Sequence, residues 1–162
     1  MEIERKFLIS KLPENLSDYP CLAIEQGYLC IEPVIRIRKQ DDSYILTYKS
    51  DGMLCREEYN LPLTAEAYAH LRPKTDGIRI SKKRYRIPFG AYTIELDIFE
   101  KDAAPLILAE VEFPSVEEAN AFVGPDWFRE DVTQSPYYHN SYISRHGYCP
   151  TVHNAGPLTG EA

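Results

Sequence analysis

Met1-Glu2-Ile3-Glu4-Arg5-Lys6-Phe7 opens the chain, and the alternation in this stretch decides how the rest is read. In an extended strand successive side chains point to opposite faces, so Glu2, Glu4 and Lys6 share one face while Ile3, Arg5 and Phe7 share the other. Side chains two apart on one face lie roughly 7 Å from each other, near enough for two carboxylates to hold a divalent cation whose shell is completed by water. Charged residues alternate on any solvated strand. The weight of this pattern comes from its recurrence farther along the chain.

The run PVIRIRK at 33–39 sets Arg36 and Arg38 on one face against Ile35 and Ile37. Residues 40–43 read as a turn, and SYILTYKS follows as the hairpin partner, with Ile45, Thr47 and Lys49 together. Asp51-Gly52 is a strong hairpin signal. LCREEYNL at 54–61 pairs Arg56 with Glu58 and turns Glu57 and Tyr59 the other way. GIRISKKRYRI at 77–87 aligns Lys82, Arg84 and Arg86. After a turn at 88–90, AYTIELDIF groups Thr93, Glu95 and Asp97, and PLILAEVEF at 105–113 groups Glu110 and Glu112. An earlier strand, LAIEQGYLC at 22–30, carries Gly27, where a bend or bulge is cheap.

Helices are expected in three places. Thr64 caps AEAYAHL, which Pro73 closes. Ser115 and Glu118 form a capping box for SVEEANAFV. A third helix runs from about residue 140 to 145 and ends at Gly147. Trp127 reads as packing between the second helix and the tail. Residues 1–147 make one domain, and 148–162, without periodicity, read as a disordered tail.

A chain of 162 residues with 44% hydrophobic composition fits one domain with a real core. The net charge of −7 argues against a nucleic acid polymer as partner, although it leaves room for a small anion in a basic pocket. Cys21, Cys30, Cys55 and Cys149 are scattered without a C-x-x-C pair, and no leader precedes Met1, so reduced thiols and a cytoplasmic location are expected. No apolar run approaches the roughly 20 residues a membrane-spanning helix needs.

The charges sort by sign. Arg36, Arg38, Lys49, Lys82, Arg84 and Arg86 form basic runs, while Glu95, Asp97, Glu110 and Glu112 form acidic ones. A merely solvated face favours mixed signs, because like charges side by side repel. Strands closed into a barrel with charged faces inward would surround a polyanion with the basic runs and hold its metal with the acidic ones, inside a wet channel rather than a dry core.

In order and spacing, EIERKF (2–7), IEQGYL (24–29), IRIRK (35–39), ILTYKS (45–50), REEY (56–59), KKRY (82–85), IELDIF (94–99), LAEVEF (108–113) and DVTQSPYYHN (131–140) resemble the CYTH superfamily, the triphosphate tunnel metalloenzymes, and especially its short bacterial tripolyphosphatase-like members. The resemblance implies an α+β fold with a closed eight-stranded antiparallel barrel and helices packed outside, acting on a triphosphate with Mg²⁺ or Mn²⁺. It implies Glu2, Glu4, Asp97, Glu110 and Glu112 as metal ligands. Lys6, Arg36, Arg38, Lys49, Lys82 and Arg84 would hold phosphate oxygens, and Glu58 and Glu95 occupy inward acidic positions of the substrate site. Two departures stand out: Lys83 where Thr is frequent, facing away by alternation, and Tyr137 where Arg is frequent, leaving the tunnel-closing helix one cation short.

The mechanism expected is charge neutralisation by the basic strands, with one metal bridging phosphates and a second, on Glu2 and Glu4, activating the attacking water. Glu4 and Lys82 are thus the candidate catalytic residues, Lys82 as proton donor to the leaving phosphate or as an anion holder. EIERKF is closer to the tripolyphosphatase opening than to that of class IV adenylyl cyclases, which reads more like V-E-x-K. Thiamine or nucleoside triphosphates are the alternative substrates. A non-catalytic polyphosphate- or nucleotide-binding module and a scaffold with solvated charged strands are the contrasting classes. The expected protein is a monomer or homodimer without a membrane partner, and none of His70, His139, His146 and His153 is assigned to metal.

Overall fold

Every charge-bearing stretch is a strand in the computed structural model, which describes residues 1–148. The strands are β1 (Glu2–Ile9), β2 (Cys21–Ile31), β3 (Val34–Gln40), β4 (Ser43–Lys49), β5 (Cys55–Arg56), β6 (Glu58–Pro62), β7 (Asp76–Phe89), β8 (Tyr92–Glu100), β9 (Ile107–Glu112) and β10 (Phe128–Asp131). They pair in the order β10-β1-β9-β8-β7-β2-β3-β4-β6, antiparallel throughout, and β5 pairs with β1. The helices are α1 (Ala65–Leu71), α2 (Val116–Ala121) and α3 (Asn140–His146). The expected tail at 148–162 lies, apart from Tyr148, outside the described residues, as do Cys149 and His153.

The expected antiparallel α+β fold is present, with ten strands among the described residues in place of eight. The stretch at 54–61 changes partners at Glu57: Arg56 lies opposite Glu2 of β1, and Glu58 lies opposite Lys49 of β4. The two ends of the sheet therefore meet through one segment rather than through an unbroken ladder, and Asp51-Gly52 sits in a wider loop than a tight hairpin. The other addition is β10, four residues against β1.

Local signals act as their chemistry dictates. Thr64 Oγ1 accepts from Ala67 N at 3.1 Å, and Ser115 Oγ accepts from Glu118 N at 3.1 Å. The Glu118 carboxylate accepts from Tyr92 OH at 3.2 Å, which ties α2 to β8. The β2–β7 register slips between Gln26 and Tyr28, at Gly27, where a Cβ would meet Thr75 Cγ2 at 2.7 Å.

Read along one face, the strands grade from charge to hydrocarbon. β1 presents Glu2, Glu4, Lys6, then Leu8; β9, read backwards, presents Glu112, Glu110, then Leu108; β8 presents Glu95, Asp97, then Phe99; and β7, read backwards, presents Arg86, Arg84, Lys82, then Ile80. Leu8, Ile80, Phe99 and Leu108 join Tyr28, Val34, Tyr138 and Ile143 of α3 in one buried cluster. This apolar floor closes one end of the charged channel, and α3 packs there against the inward faces of the strands, while α2 packs outside as expected. The opposite faces (Ile3, Phe7, Ile94, Leu96, Ala109, Val111) form a second cluster with Phe113, Ala119 of α2 and Trp127. Trp127 thus packs as its position in the sequence suggested. No helix among the described residues is long and apolar enough to cross a membrane.

Two contacts make the docking of the helices testable. Gly77, at φ +66, lies against α3 so closely that an added Cβ would overlap the Ser144 carbonyl oxygen, whereas Gly90, at φ +59, faces nothing within 4 Å. Gly77→Ala is expected to cost about 2–3 kcal/mol in urea unfolding, with Gly90→Ala costing clearly less because only backbone strain acts there. At the end of α1, Arg72 donates to Glu25 at 2.7 and 3.1 Å, and Tyr68 OH of α1 donates to it at 2.8 Å. The Arg72 hydrogen bond, outweighing burial, holds the Glu25 carboxyl below its usual 4.5. A lowered folded value stabilises above the unfolded value and is lost as pH falls through the folded one. Glu25→Gln should therefore cost about 0.5 kcal/mol at pH 7, a difference that vanishes in melts below that window.

Candidate active site

The inward faces enclose a cavity of about 160 Å³. Lys6, Arg36, Arg38, Lys49, Arg56, Arg84 and Arg86 line it together with Glu2, Glu4, Glu58, Glu95, Glu110 and Glu112. Tyr28, Val34, Gln40, His139, Asn140 and Ser141 complete the wall. Almost no hydrocarbon is presented, so the contents must be water or a charged solute.

Register explains how the charges meet. Arg84 lies opposite Asp97 across β7–β8, and Lys6 lies opposite Glu110 across β1–β9. Asp97 accepts from Arg84 Nε at 2.7 Å and Nη2 at 2.8 Å, and pairs with Lys82 Nζ at 2.7 Å. Arg84 then reaches Glu95 at 3.1 Å and Glu110 at 3.4 Å. Lys49 donates to both oxygens of Glu2, at 2.9 and 3.0 Å, and Arg56 approaches the same carboxylate at 3.5 Å. Arg36 is different. Its Nη2 donates to Thr47 Oγ1 at 3.3 Å, but its Nε is buried with no hydrogen-bond partner among the described residues.

The carboxylates divide into two environments. Burial would raise Glu110, but Lys6, Arg84 and Lys82 outweigh it and hold the group far below the usual range. Burial raises Glu4, and the charge of Glu110 adds to it; burial raises Glu112, with Glu2 and Glu4 adding to it. Glu4 and Glu112 are direct cross-strand partners, as are Glu95 and Glu110, an arrangement that repels unless a cation intervenes. Burial also raises Glu2, whose hydrogen bond to Glu58 acts in the same direction. Among the cations, burial with Arg36 and Arg84 nearby pushes Arg38 down to about 9, still charged at neutral pH. Burial brings Lys82 to about 7 despite Asp97 beside it, and burial with Lys6 and Arg56 nearby takes His139 to about 3, so His139 is neutral.

Of the residues singled out in the sequence, Glu2, Glu4, Lys6, Arg36, Arg38, Lys49, Glu58, Arg84, Glu95, Glu110 and Glu112 all reach this one cavity. Lys82 and Asp97 do not line it. They lie behind the wall, paired with each other and without solvent access, so Asp97 anchors cations here and both its oxygens are engaged. Sequence reasoning missed Gln26, Tyr28, Arg56, Thr47, Asn60, His139 and Asn140 as members of the site or its support. Parity could have found several of them, since Asn60 shares a face with Glu58 and Thr47 with Lys49. Nothing local could have found His139 and Asn140.

The chain is 38% identical over 148 residues to the inorganic triphosphatase of Nitrosomonas europaea, a match spanning 88% of this chain and 96% of that protein. It belongs to the inorganic triphosphatase family of the CYTH superfamily. Within the inorganic triphosphatases, the protein of Acetivibrio thermocellus is 34% identical over 156 residues, covering 91% of this chain and 95% of its own. The crystal structure of an inorganic triphosphatase superposes at a TM-score of 0.67 and 35% identity, covering 89% of this chain and 94% of that one. No family model matches the chain.

Asp97 offers a sharp test of how the wall of this triphosphatase-family cavity is held. Asp97→Asn would strand Lys82 and Arg84 with a neutral partner in a buried site, and a loss of about 3–5 kcal/mol in denaturant unfolding is expected. A loss under about 1 kcal/mol would mean that water reaches these cations.

Proposed function

We propose that the protein hydrolyses inorganic tripolyphosphate with the help of Mg²⁺ or Mn²⁺. The observation that carries the reading is Arg36, whose side chain lines the cavity with six other cations and keeps a buried Nε without a partner among the described residues. A buried donor without a partner is costly, and a phosphate oxygen is the acceptor that fits it. The relatives named inorganic triphosphatase support the same substrate class.

The donor set fits a hard cation. Glu2, Glu4, Glu110 and Glu112 supply only carboxylate oxygens, the choice of Mg²⁺ and Mn²⁺, and the raised Glu4 and Glu112 gain from a positive charge between them. Among the described residues no three acidic, histidine or cysteine side chains converge tightly enough to enclose an ion by themselves. When bound, such a cation neutralises phosphate charge and makes a water held by it more acidic.

The chain's own residues do the remainder. Lys6, Arg36, Arg38, Lys49 and Arg84 hold phosphate oxygens and offset the charge that otherwise repels a nucleophile. Ion pairs fix Lys6, Lys49 and Arg84 before substrate arrives, so these three need little reorganisation on binding. Glu4, beside Glu2 on the same strand face, is placed to hold the cation under which the attacking water would sit. Lys82, one layer behind, holds Asp97 and through it Arg84, which makes anion orientation its leading role over proton donation.

A specific feature keeps organic triphosphates as the second reading. A shelf of about 520 Å³ adjoins the cavity through Arg86, Glu95 and Glu112 and carries Tyr92 and Phe113. Inside the cavity Tyr28 is only 3% exposed and offers no open platform for a base or thiazole.

Phosphate release from tripolyphosphate, thiamine triphosphate and ATP, each with Mg²⁺, with Mn²⁺ and with chelator, decides the matter. The expected result is metal-dependent release from tripolyphosphate above the other two. Arg36→Ala should lower kcat/KM by about a hundredfold, and Glu4→Gln should abolish metal-dependent turnover. Tight tripolyphosphate binding without turnover would make the protein a binding module instead.

A further inference from the structure

A hydrogen-bonded bridge crosses the floor of the cavity and takes no part in the mechanism above. Gln26 is fully buried on β2. Its Oε1 accepts from Arg38 Nε at 2.9 Å, and its Nε2 donates to Asn140 Oδ1 at 3.1 Å. The same Asn140 oxygen accepts from Lys82 Nζ at 3.2 Å. The bridge therefore joins β3, β2, α3 and β7, with a cation at each end.

The two cations fix its polarity. Arg38 Nε and Lys82 Nζ can only donate, so the atoms that face them must be oxygens. This leaves one orientation for each amide, with the Gln26 oxygen toward Arg38, its NH₂ toward α3, and the Asn140 oxygen at the shared point. A side chain at 26 must accept at one atom and donate at the other, which a glutamine does and a carboxylate or hydrocarbon does not.

Arg38 needs this help more than Arg84 does. Arg84 is clamped by three carboxylates, whereas Arg38 makes no salt bridge among the described residues and has Gln26 as its side-chain hydrogen-bond partner. A long guanidinium side chain left unheld must lose its rotamer freedom when the anion binds, which weakens binding.

We infer that Gln26 and Asn140 are positioning residues for the triphosphate. They hold the Arg38 guanidinium and the Lys82 ammonium in a fixed relation and tie both to the floor helix α3. The inference rests on the reading that Arg38 holds phosphate oxygens.

The test is a double-mutant cycle read by both binding and turnover. Gln26→Met, similar in length and without a hydrogen-bonding terminus, is made in the wild-type and in the Arg38→Ala background, with Gln26→Ala as the second variant should Gln26→Met not fold. Isothermal titration with tripolyphosphate in chelator reads the bridge whether or not chemistry occurs, and wild-type turnover tests the triphosphatase reading separately. Gln26→Met is expected to weaken tripolyphosphate binding and raise KM about tenfold, with kcat changed less. In the Arg38→Ala background the same substitution should change binding by no more than about twofold. Asn140→Leu should weaken binding at least as much, and adding Gln26→Met to it should do no further harm. Equal losses in both backgrounds, or losses that multiply between Gln26 and Asn140, would overturn the assignment and leave the pair a packing feature.

Discussion

Two cations share one carboxylate that water does not reach, and the inner wall depends on that arrangement. Asp97 holds Lys82 on one oxygen and Arg84 on both, and Arg84 passes the alignment on to Glu95 and Glu110. Charges removed from water are tolerable only when they are paired and hydrogen-bonded. The wall therefore consists of a few fully engaged charges behind a layer of partly engaged ones, and the latter, Arg36 above all, are the groups left to meet a ligand.

A sheet that turns its charges inward must find its hydrophobic stabilisation away from its middle. Here the apolar surface divides into two clusters, one beneath the channel around Ile143 and one outside it around Phe113 and Trp127. The first depends on each strand changing character along its length, from glutamate or arginine to leucine, isoleucine or phenylalanine on the same face. The second depends on ordinary alternation, with α2 and the short strand β10 covering the outward side chains. Neither cluster would be large enough alone for a domain of this size, and the ladder of strands joins them mechanically.

The strands, their faces and two helix caps were legible because each rests on short-range chemistry: a period of two, turn residues at Asp41, Gly52 and Gly90, and hydroxyls at Thr64 and Ser115. The sorting of charge by sign pointed to an inward polar face before any contact was known. What stayed hidden was set by contacts distant in sequence. β10 is four residues whose only reason to be extended is β1, more than a hundred positions away. The switch of partners at Glu57 follows from how the sheet's ends meet, which no window of sequence contains. Asn140 meets Gln26 across 114 residues, and α3 turns inward because an apolar floor formed by strands from across the chain is there to receive it. Asp97 carried the right charge on the right face, but its depth depended on Lys82 and Arg84 arriving together.

The floor has a kinetic meaning. With Ile143, Tyr138, Leu8 and Phe99 packed beneath the charges, the channel is closed at this end among the described residues. Past Arg86, Glu95 and Glu112, where the cavity adjoins the shelf, departing fragments and arriving anions share a doorway. Traffic is thereby sequential, and the cleaved pieces, which still carry the charge that the wall was arranged to grip, must let go before the next molecule can be admitted.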